Sequence, residues 1–144
     1  MNKVFFAALG LALAVLPACK STYEQQIGTV GDTMAYDTTT FAVRAGQKVH
    51  LTLKNNGTSA AMHHNWVLVQ PGHEADVANA GLTAGEAANF IKTGDSNVIA
   101  STPLSTPGGT VDVTFTAPAA GKYPYICTYP GHFMTMKGVL EVSP

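Results

Sequence analysis

The 144-residue sequence has few charged residues, few cysteines and no block of like charge. Charged residues make up 12% of the chain and the formal net charge is −1, whereas about 25% is usual in soluble domains. Nucleic acids and anionic membranes are bound through clustered basic residues, so the composition argues against both as partners held by charge. Two cysteines, Cys19 and Cys127, are too few for a disulfide scaffold or a four-cysteine zinc site. The length suits one domain rather than a multidomain enzyme.

The one long apolar run lies at the N-terminus. A positively charged start, Met1-Asn2-Lys3, precedes Val4 to Leu16, a run without a charged or strongly polar side chain. This pattern is typical of a secretory signal peptide, and the run is shorter than the about 20 residues that a membrane-spanning helix needs. We therefore predict that residues 1–18 are a signal peptide and that the protein is periplasmic or otherwise extracytoplasmic.

Cys19 follows Leu16-Pro17-Ala18, a site that resembles the lipobox of bacterial lipoproteins. The resemblance implies a lipid on Cys19, which would tether the domain to a bacterial membrane without a spanning helix. The alternative is ordinary cleavage that leaves Cys19 as a free thiol. We expect residues 19–26 to form a lipidated N-terminus and short linker, and residues 27–144 to form the domain.

Beyond residue 27 the sequence alternates short apolar segments with turns. Apolar and polar residues alternate over 49–54 and 111–116, and β-prone runs occupy 66–69, 122–127 and 139–142. Period-two alternation bounded by Gly, Pro and Asn predicts half-buried strands of an all-β sandwich or barrel. Residues 73–92 differ, because they are rich in Ala, Glu and Asn. For them we predict one or two short helices interrupted by Gly81 and Gly85.

Most of the chemically reactive side chains lie in one segment, Cys127 to Met136. Within ten residues it offers a thiol, the imidazole of His132 and two thioethers. Soft sulfur ligands combined with imidazole favour copper, and blue copper electron-transfer sites use two histidines, one cysteine and a weak axial methionine. The second histidine has to come from elsewhere, and His64 can supply it from the start of a predicted strand.

These motifs together resemble the cupredoxins of the azurin and auracyanin type. The matching segments are His64-Asn65-Trp66-Val67-Leu68, Cys127-Thr128-Tyr129-Pro130-Gly131-His132 and Met136-Lys137-Gly138. The resemblance spans about residues 27–142. It implies an eight-stranded Greek-key β-sandwich whose insertion falls on residues 73–92.

The resemblance also implies a metal site. One type 1 copper ion would be bound by His64, Cys127 and His132, with Met136 as the weak axial ligand. The family spacing selects this methionine rather than Met134, which lies two residues after the loop histidine.

The same resemblance implies roles for residues next to the predicted ligands. Asn65 and Thr128 would hold the two ligand segments together, as residues outside the ligand shell do in many metal sites. Azurins have a glycine at the position of His63, and its carbonyl approaches copper axially. Because this chain has a histidine there, we expect a four-coordinate site nearer to that of auracyanin. Cys19 and Cys127 both have other roles, so we also expect the disulfide of azurins to be missing.

The function implied by the resemblance is one-electron transfer between Cu(II) and Cu(I). Redox proteins such as cytochromes, or a membrane electron-transfer complex, would be the partners. In this family the electron leaves through the exposed edge of the loop histidine, here His132. The expected docking surface is an apolar rim around it, formed by Met62, Tyr129, Pro130, Gly131 and Phe133. The low net charge favours docking by apolar contact over electrostatic steering.

Two other functional classes stay open at this point. A periplasmic copper carrier or chaperone would use exposed Met and His ligands, and the sequence has several near the predicted site. A copper enzyme would need a second metal site, but the histidines left for one are only His50, His63 and His73. We interpret these three as surface residues and do not expect an enzyme.

Overall fold

The computed structural model describes residues 21–144, so the predicted signal peptide and Cys19 lie outside the described residues. The strands are β1 (Tyr23–Gly28), β2 (Thr40–Arg44), β3 (Lys48–Lys54), β4 (Val67–Val69), β5 (Val98–Ser101), β6 (Thr110–Thr116), β7 (Gly121–Ile126) and β8 (Lys137–Ser143). Between β4 and β5 lie helix α1 (Glu74–Ala84) and a 3₁₀ helix (Glu86–Ala88). Among residues 21–144, no helix is both long and apolar enough to cross a membrane.

The strands form two sheets that face each other. One has three strands in the order β1-β3-β6, and the other has five in the order β2-β8-β7-β4-β5. The alternation of β3 places Val49, Leu51 and Leu53 in the core between the sheets, where none of them is exposed. Trp66 and Tyr125 face them, with ring centroids 5.5 Å apart. The predicted eight-stranded β-sandwich with a helical insertion at 73–92 is confirmed.

The five-stranded sheet has a second, smaller core on its outer face. Val67, Val69 and Ile126 pack there against Val77 and Ala78 of α1. Because α1 covers this face, β4 is buried on both sides. This explains why its sequence, Val-Leu-Val, is continuously apolar instead of alternating.

Two details differ from the sequence-based expectation. β1 begins at Tyr23, so part of the predicted linker over 19–26 belongs to the sheet. This edge strand has polar side chains at Glu24 and Gln25 and no apolar pattern to mark it, although its backbone pairs with β3 from Tyr23 onward. Gly81 does not interrupt α1. It lies inside the helix. The position requires glycine because a Cβ there would clash with the carbonyl oxygen of Phe90.

The two ends of the described chain meet at one end of the sandwich. Ser21 and Pro144 line the same cleft, together with Arg44. β7 starts near this end, where Gly121 pairs with Val142. It runs away from this end, because Ile126, the last residue of β7, pairs with Lys137, the first residue of β8. Six residues of strand therefore separate this end from the one where β7 finishes, about 20 Å away.

Candidate metal centre

Three elements bring the predicted ligands together. Cys127 directly follows β7, Met136 directly precedes β8, and His64 leads into β4. Because β7 pairs antiparallel with both β4 and β8, its end lies beside their beginnings. The Cys127 sulfur lies 3.9 Å from Nδ1 of His64 and 3.7 Å from Nδ1 of His132.

Backbone hydrogen bonds shape the loop between the sulfur-bearing residues. The Cys127 N–H donates to the Met136 carbonyl at 3.0 Å, which closes the loop. Inside it, the His132 N–H donates to the Tyr129 carbonyl at 3.0 Å, and the Met136 N–H donates to the His132 carbonyl at 2.8 Å. Gly131 has φ +83°, a backbone conformation that favours glycine. The turn directs the imidazole back towards the sulfur.

Burial sets the protonation of the ligand atoms. His64 is not exposed and His132 is 5% exposed. Burial lowers the pKa of His64 to about 4, assisted by the charge on His132, and it also lowers the pKa of His132. Burial raises the pKa of the Cys127 thiol to about 12, against the opposing effect of hydrogen bonds from the backbone N–H groups of Asn65 and Tyr129. At neutral pH the metal-free site therefore holds two neutral imidazoles and one protonated thiol.

This donor set fits copper. The ligand atoms of His64, Cys127 and His132 all lie within 4.8 Å of one another, so one ion can touch all three. They form the single such group of three or more His, Cys, Asp or Glu residues among residues 21–144. Met136 is fully buried and adds a thioether. Thiolate, thioether and imidazole are the ligands of blue copper sites.

Asn65 and Thr128 connect the two ligand segments. The Thr128 N–H donates to Oδ1 of Asn65 at 2.8 Å, and the amide of Asn65 donates to Oγ1 of Thr128 at 2.8 Å. Each of these residues directly follows a predicted ligand, His64 in one case and Cys127 in the other. The reciprocal bonds therefore hold the His64 segment against the loop.

A buried asparagine that the sequence analysis missed supports the His64 segment from the other side. The amide of Asn55 donates to the carbonyl of Met62 at 2.7 Å and to that of Ser105 at 3.2 Å. Ser105 in turn exchanges two backbone hydrogen bonds with His64. In the sequence, Asn55 reads as part of an Asn-Asn-Gly turn, and nothing there signals its distant partners.

The residues predicted to form the docking rim have different surroundings. Pro130 and Gly131 are exposed, and Met62 and Tyr129 are half-buried. Phe133 is also half-buried, but it packs against the smaller core under α1. Met134, which the family spacing does not select as a ligand, is 65% exposed.

The remaining histidines do not join the metal-ligand group. His50 and His73 are accessible at 35% and 46% of their side chains, as expected. His63 differs from the expectation of a surface residue, because 22% of its side chain is exposed. Its ring lies beside that of Tyr129, with centroids 5.7 Å apart, and its Nδ1 lies 3.6 Å from a Glu86 carboxylate oxygen.

Comparison with known proteins agrees with this geometry. The chain matches the copper binding proteins of the plastocyanin/azurin family over residues 23–143. It is 52% identical to auracyanin-A of Chloroflexus aurantiacus over 120 residues, which cover 82% of this chain and 73% of that protein. It is 40% identical to azurin iso-2 of Methylomonas sp. strain J over 121 residues, 80% of this chain and 94% of that protein.

A solved structure extends the comparison to three dimensions. Auracyanin A, described as a "blue" copper protein from a green thermophilic photosynthetic bacterium, matches with a TM-score of 0.81 at 50% identity. The match covers 85% of this chain and 100% of the other. The predicted resemblance to azurins and auracyanins, the copper cofactor and the electron-transfer function are confirmed. The chain belongs to the plastocyanin/azurin family of copper-binding proteins.

Proposed function

We propose that the protein is a blue copper electron carrier in which His64, Cys127 and His132 would hold one copper ion and Met136 would be the fourth, weaker ligand. The observation that carries this proposal is the buried convergence of two imidazole nitrogens and one sulfur within 4.8 Å. Bound copper supplies one-electron exchange between Cu(II) and Cu(I). We further propose a four-coordinate site without a contact from the carbonyl of His63.

The protein contributes a set of ligands that moves little. Cys127 is fixed by its backbone bond to Met136, and Asn65 and Thr128 hold the segment of His64 against the loop. Bonds outside the ligand shell orient ligands and tune a metal site. Because the ligands are fixed, they cannot fully adopt the geometry that either oxidation state of copper prefers. They therefore move little when an electron is transferred. Small rearrangement makes the transfer fast.

The Cys127 proton has to leave when metal binds. Its pKa of about 12 in the metal-free protein shows that burial favours the thiol. His64 and His132 are already neutral near pH 7, because burial lowers the pKa of each. Binding therefore releases about one proton, and the apparent affinity for copper rises with pH.

We propose that redox proteins dock around the edge of His132. Pro130 and Gly131 are exposed beside it, and half-buried Met62 and Tyr129 complete an apolar surface with Phe133 at its margin. Small, transient contacts are typical of electron-transfer complexes. Cytochromes or a membrane electron-transfer complex are the proposed partners. We propose that the protein is not an enzyme.

An optical and EPR spectrum of the copper-loaded domain tests this function. We expect an intense visible thiolate-to-copper band that disappears on reduction and returns on oxidation. Mixing with a reduced cytochrome should bleach the band. A colourless copper-loaded protein would overturn the proposal, and release of copper to an acceptor without electron exchange would favour a copper carrier.

A matched pair of variants tests the axial ligand. Met136→Leu should change the EPR spectrum and the reduction potential, because the axial ligand tunes blue copper sites. Met134→Leu changes the same type of side chain two residues earlier, where it is 65% exposed, and should leave both unchanged. An effect confined to Met134→Leu would contradict the assignment.

We propose that the protein is exported and carries a lipid on Cys19 after removal of residues 1–18. The support is the signal-like run and the lipobox-like site. Mass spectrometry of protein extracted from membranes should show the lipid mass on the N-terminal peptide. Cys19→Ser should move the protein to the soluble fraction. Membrane association that persists in this variant would contradict lipid anchoring.

A further inference from the structure

Two consecutive residues after the 3₁₀ helix have left-handed backbone conformations. Asn89 has φ 55° and Phe90 has φ 54°, and they are the two non-glycine residues with positive φ in the described part of the chain. Asparagine tolerates this region, but it is rare for a bulky residue such as phenylalanine. Residues held in such conformations persist where their surroundings constrain them, and they cluster at functional sites. We call Asn89 and Phe90 the elbow.

Asn89 contacts the His64 segment from two directions. Its carbonyl accepts a hydrogen bond from the amide of Asn65 at 2.9 Å. Its side-chain Oδ1 accepts one from the N–H of Leu104 at 2.9 Å. Leu104 precedes Ser105, which exchanges two backbone hydrogen bonds with His64. Asn89 therefore ties together both segments that flank this ligand.

Phe90 contacts the other ligand segment. Its ring meets the ring of Tyr129 edge-on, with centroids 5.2 Å apart, and the Tyr129 ring lies 4.8 Å from that of His132. Its carbonyl oxygen lies so close to Gly81 of α1 that a Cβ there would clash. Because α1 packs against the backbone of Phe90, it limits how far this ring can withdraw from the loop.

The two residues held by the elbow share one property. The backbone N–H groups of both Asn65 and Tyr129 act as donors to the sulfur of Cys127 and lower the pKa of its thiol, against the larger effect of burial. Hydrogen bonds to this sulfur withdraw electron density from it and thereby tune the reduction potential of a blue copper site. Asn89 contacts the side chain of one donor residue, and Phe90 contacts the side chain of the other.

We propose that Asn89 and Phe90 are positioning residues of the copper site, and that they set its reduction potential by holding Asn65 and Tyr129 in place for their hydrogen bonds to the Cys127 sulfur. This inference rests on the proposed copper ligands. Weaker N–H to sulfur bonds leave the thiolate a stronger donor, which favours Cu(II). Loosening the elbow therefore lowers the potential.

The test compares Phe90→Leu with Phe115→Leu. Both phenylalanines are 9% exposed, but Phe115 lies in β6 of the three-stranded sheet and packs on Trp66 at 5.7 Å. Both variants should lower the melting temperature to a similar extent. Phe90→Leu should also lower the reduction potential and shift the thiolate-to-copper band, and Phe115→Leu should change neither. A potential and a band equal to those of the wild type in Phe90→Leu would overturn the proposal.

Asn89→Gly provides a second variant that keeps the fold. Glycine retains the left-handed backbone and the carbonyl that Asn65 uses, but it removes the bond to Leu104. We expect a smaller fall in potential, in the same direction as for Phe90→Leu. An unchanged potential would remove Asn89 from the proposal.

Amide hydrogen exchange in the metal-free protein tests the elbow without copper. Exchange of the Asn65 and Tyr129 amides should be faster in Phe90→Leu than in Phe115→Leu, and equal rates would contradict the positioning role. The absence of a thiolate-to-copper band in the loaded wild type would instead refute the ligand assignment. The two failures are therefore distinguishable.

Discussion

The two sheets differ in how their faces are covered. The three-stranded sheet has one buried face, and β3 alternates between buried and accessible side chains. The five-stranded sheet is covered on both faces over β4, because Val77 and Ala78 of α1 pack on Val67 and Val69. The predicted ligands lie at one end of this doubly covered sheet. His64 leads into β4 and Cys127 follows β7, the two strands whose residues pack against α1.

The polar residues of the two sheets differ in the same way. At the ligand end of the five-stranded sheet, Asn65 and Thr128 are buried and hydrogen-bonded to each other across 63 positions of the chain. On the outer face of the three-stranded sheet, His50 lies between two accessible carboxylates. Buried polar networks are costly when they are only partly satisfied. We therefore expect substitutions at the ligand end to have larger effects than those on the three-stranded sheet.

The largest expected effect is that of Cys127→Ser. The variant should lose the thiolate-to-copper band completely, because Cys127 is the one cysteine among residues 21–144. His50→Gln, on the three-stranded sheet, should retain the full band. Absorption spectra of the copper-loaded variants, normalised to protein concentration, measure this contrast. A thiolate-to-copper band that is still present in Cys127→Ser would contradict the proposed ligand set.

The second prediction concerns the stability of the metal-free protein at acidic pH. The pKa of His64 is about 4 in the folded state because of burial, against about 6.5 in the unfolded chain. The unfolded state thus binds more protons between these values, so stability falls as the pH drops from about 6.5 to 4, by up to about 3 kcal/mol.

Urea unfolding at pH 7 and pH 4.5 measures this loss. His64→Gln has no proton to take up at this position and should lose less stability than the wild type over the same interval. Equal losses in the two proteins would show that His64 is not kept neutral by the fold.

A third prediction compares a valine in each sheet. Val69 is fully buried under α1, and Val111 of β6 is partly exposed. Val69→Ala should cost about 2 kcal/mol of unfolding free energy, through lost burial and the cavity that remains. Val111→Ala should cost about half as much, because water already reaches part of the side chain. Chemical denaturation checks both values, and equal costs would contradict the idea that covering both faces matters.

The smallest expected effect lies on the three-stranded sheet and has the opposite sign to that of His64. Hydrogen bonds to Glu24, at 2.6 Å, and to Asp112, at 3.3 Å, raise the pKa of His50. A raised pKa stabilises the fold fully below the unfolded value of about 6.5, and this contribution is lost as the pH rises through the folded value. His50→Gln should therefore have a smaller difference in melting temperature between pH 5.5 and 8.5. If the melting temperature of His50→Gln differed between the two pH values by as much as that of the wild type, the two hydrogen bonds would contribute nothing to stability.

Much of the fold could be predicted because its signals are local. The alternation over 49–54 and 111–116 corresponds to β3 and β6, and the Ala-rich stretch at 73–92 contains α1 and the 3₁₀ helix. β1 was missed because an edge strand needs only backbone pairing on one side, and its polar side chains carry no pattern. Gly81 was misinterpreted because a helical glycine can serve close packing as well as helix termination.

The candidate site was predictable to the extent that its residues are close in sequence. Cys127, His132 and Met136 belong to one loop, and the resemblance to known cupredoxins indicated His64. Asn55 and Asn89 were not identified, because each also has a partner far away in the sequence, Ser105 at 50 residues for Asn55 and Leu104 at 15 residues for Asn89. Nor does the sequence reveal the left-handed elbow, since neither of its residues is glycine.

The meeting of the two chain ends has a practical consequence. Ser21 and Pro144 share one cleft with Arg44, at the end of β7 opposite to Cys127. A lipid before residue 21, an affinity tag after Pro144 or a linker to an electrode would all be attached at this same end. Any of these attachments would keep the loop that carries His132 about a strand length from the supporting surface. Attachment beside Ser21 or beside Pro144 should therefore leave the loop of His132 accessible to a redox partner.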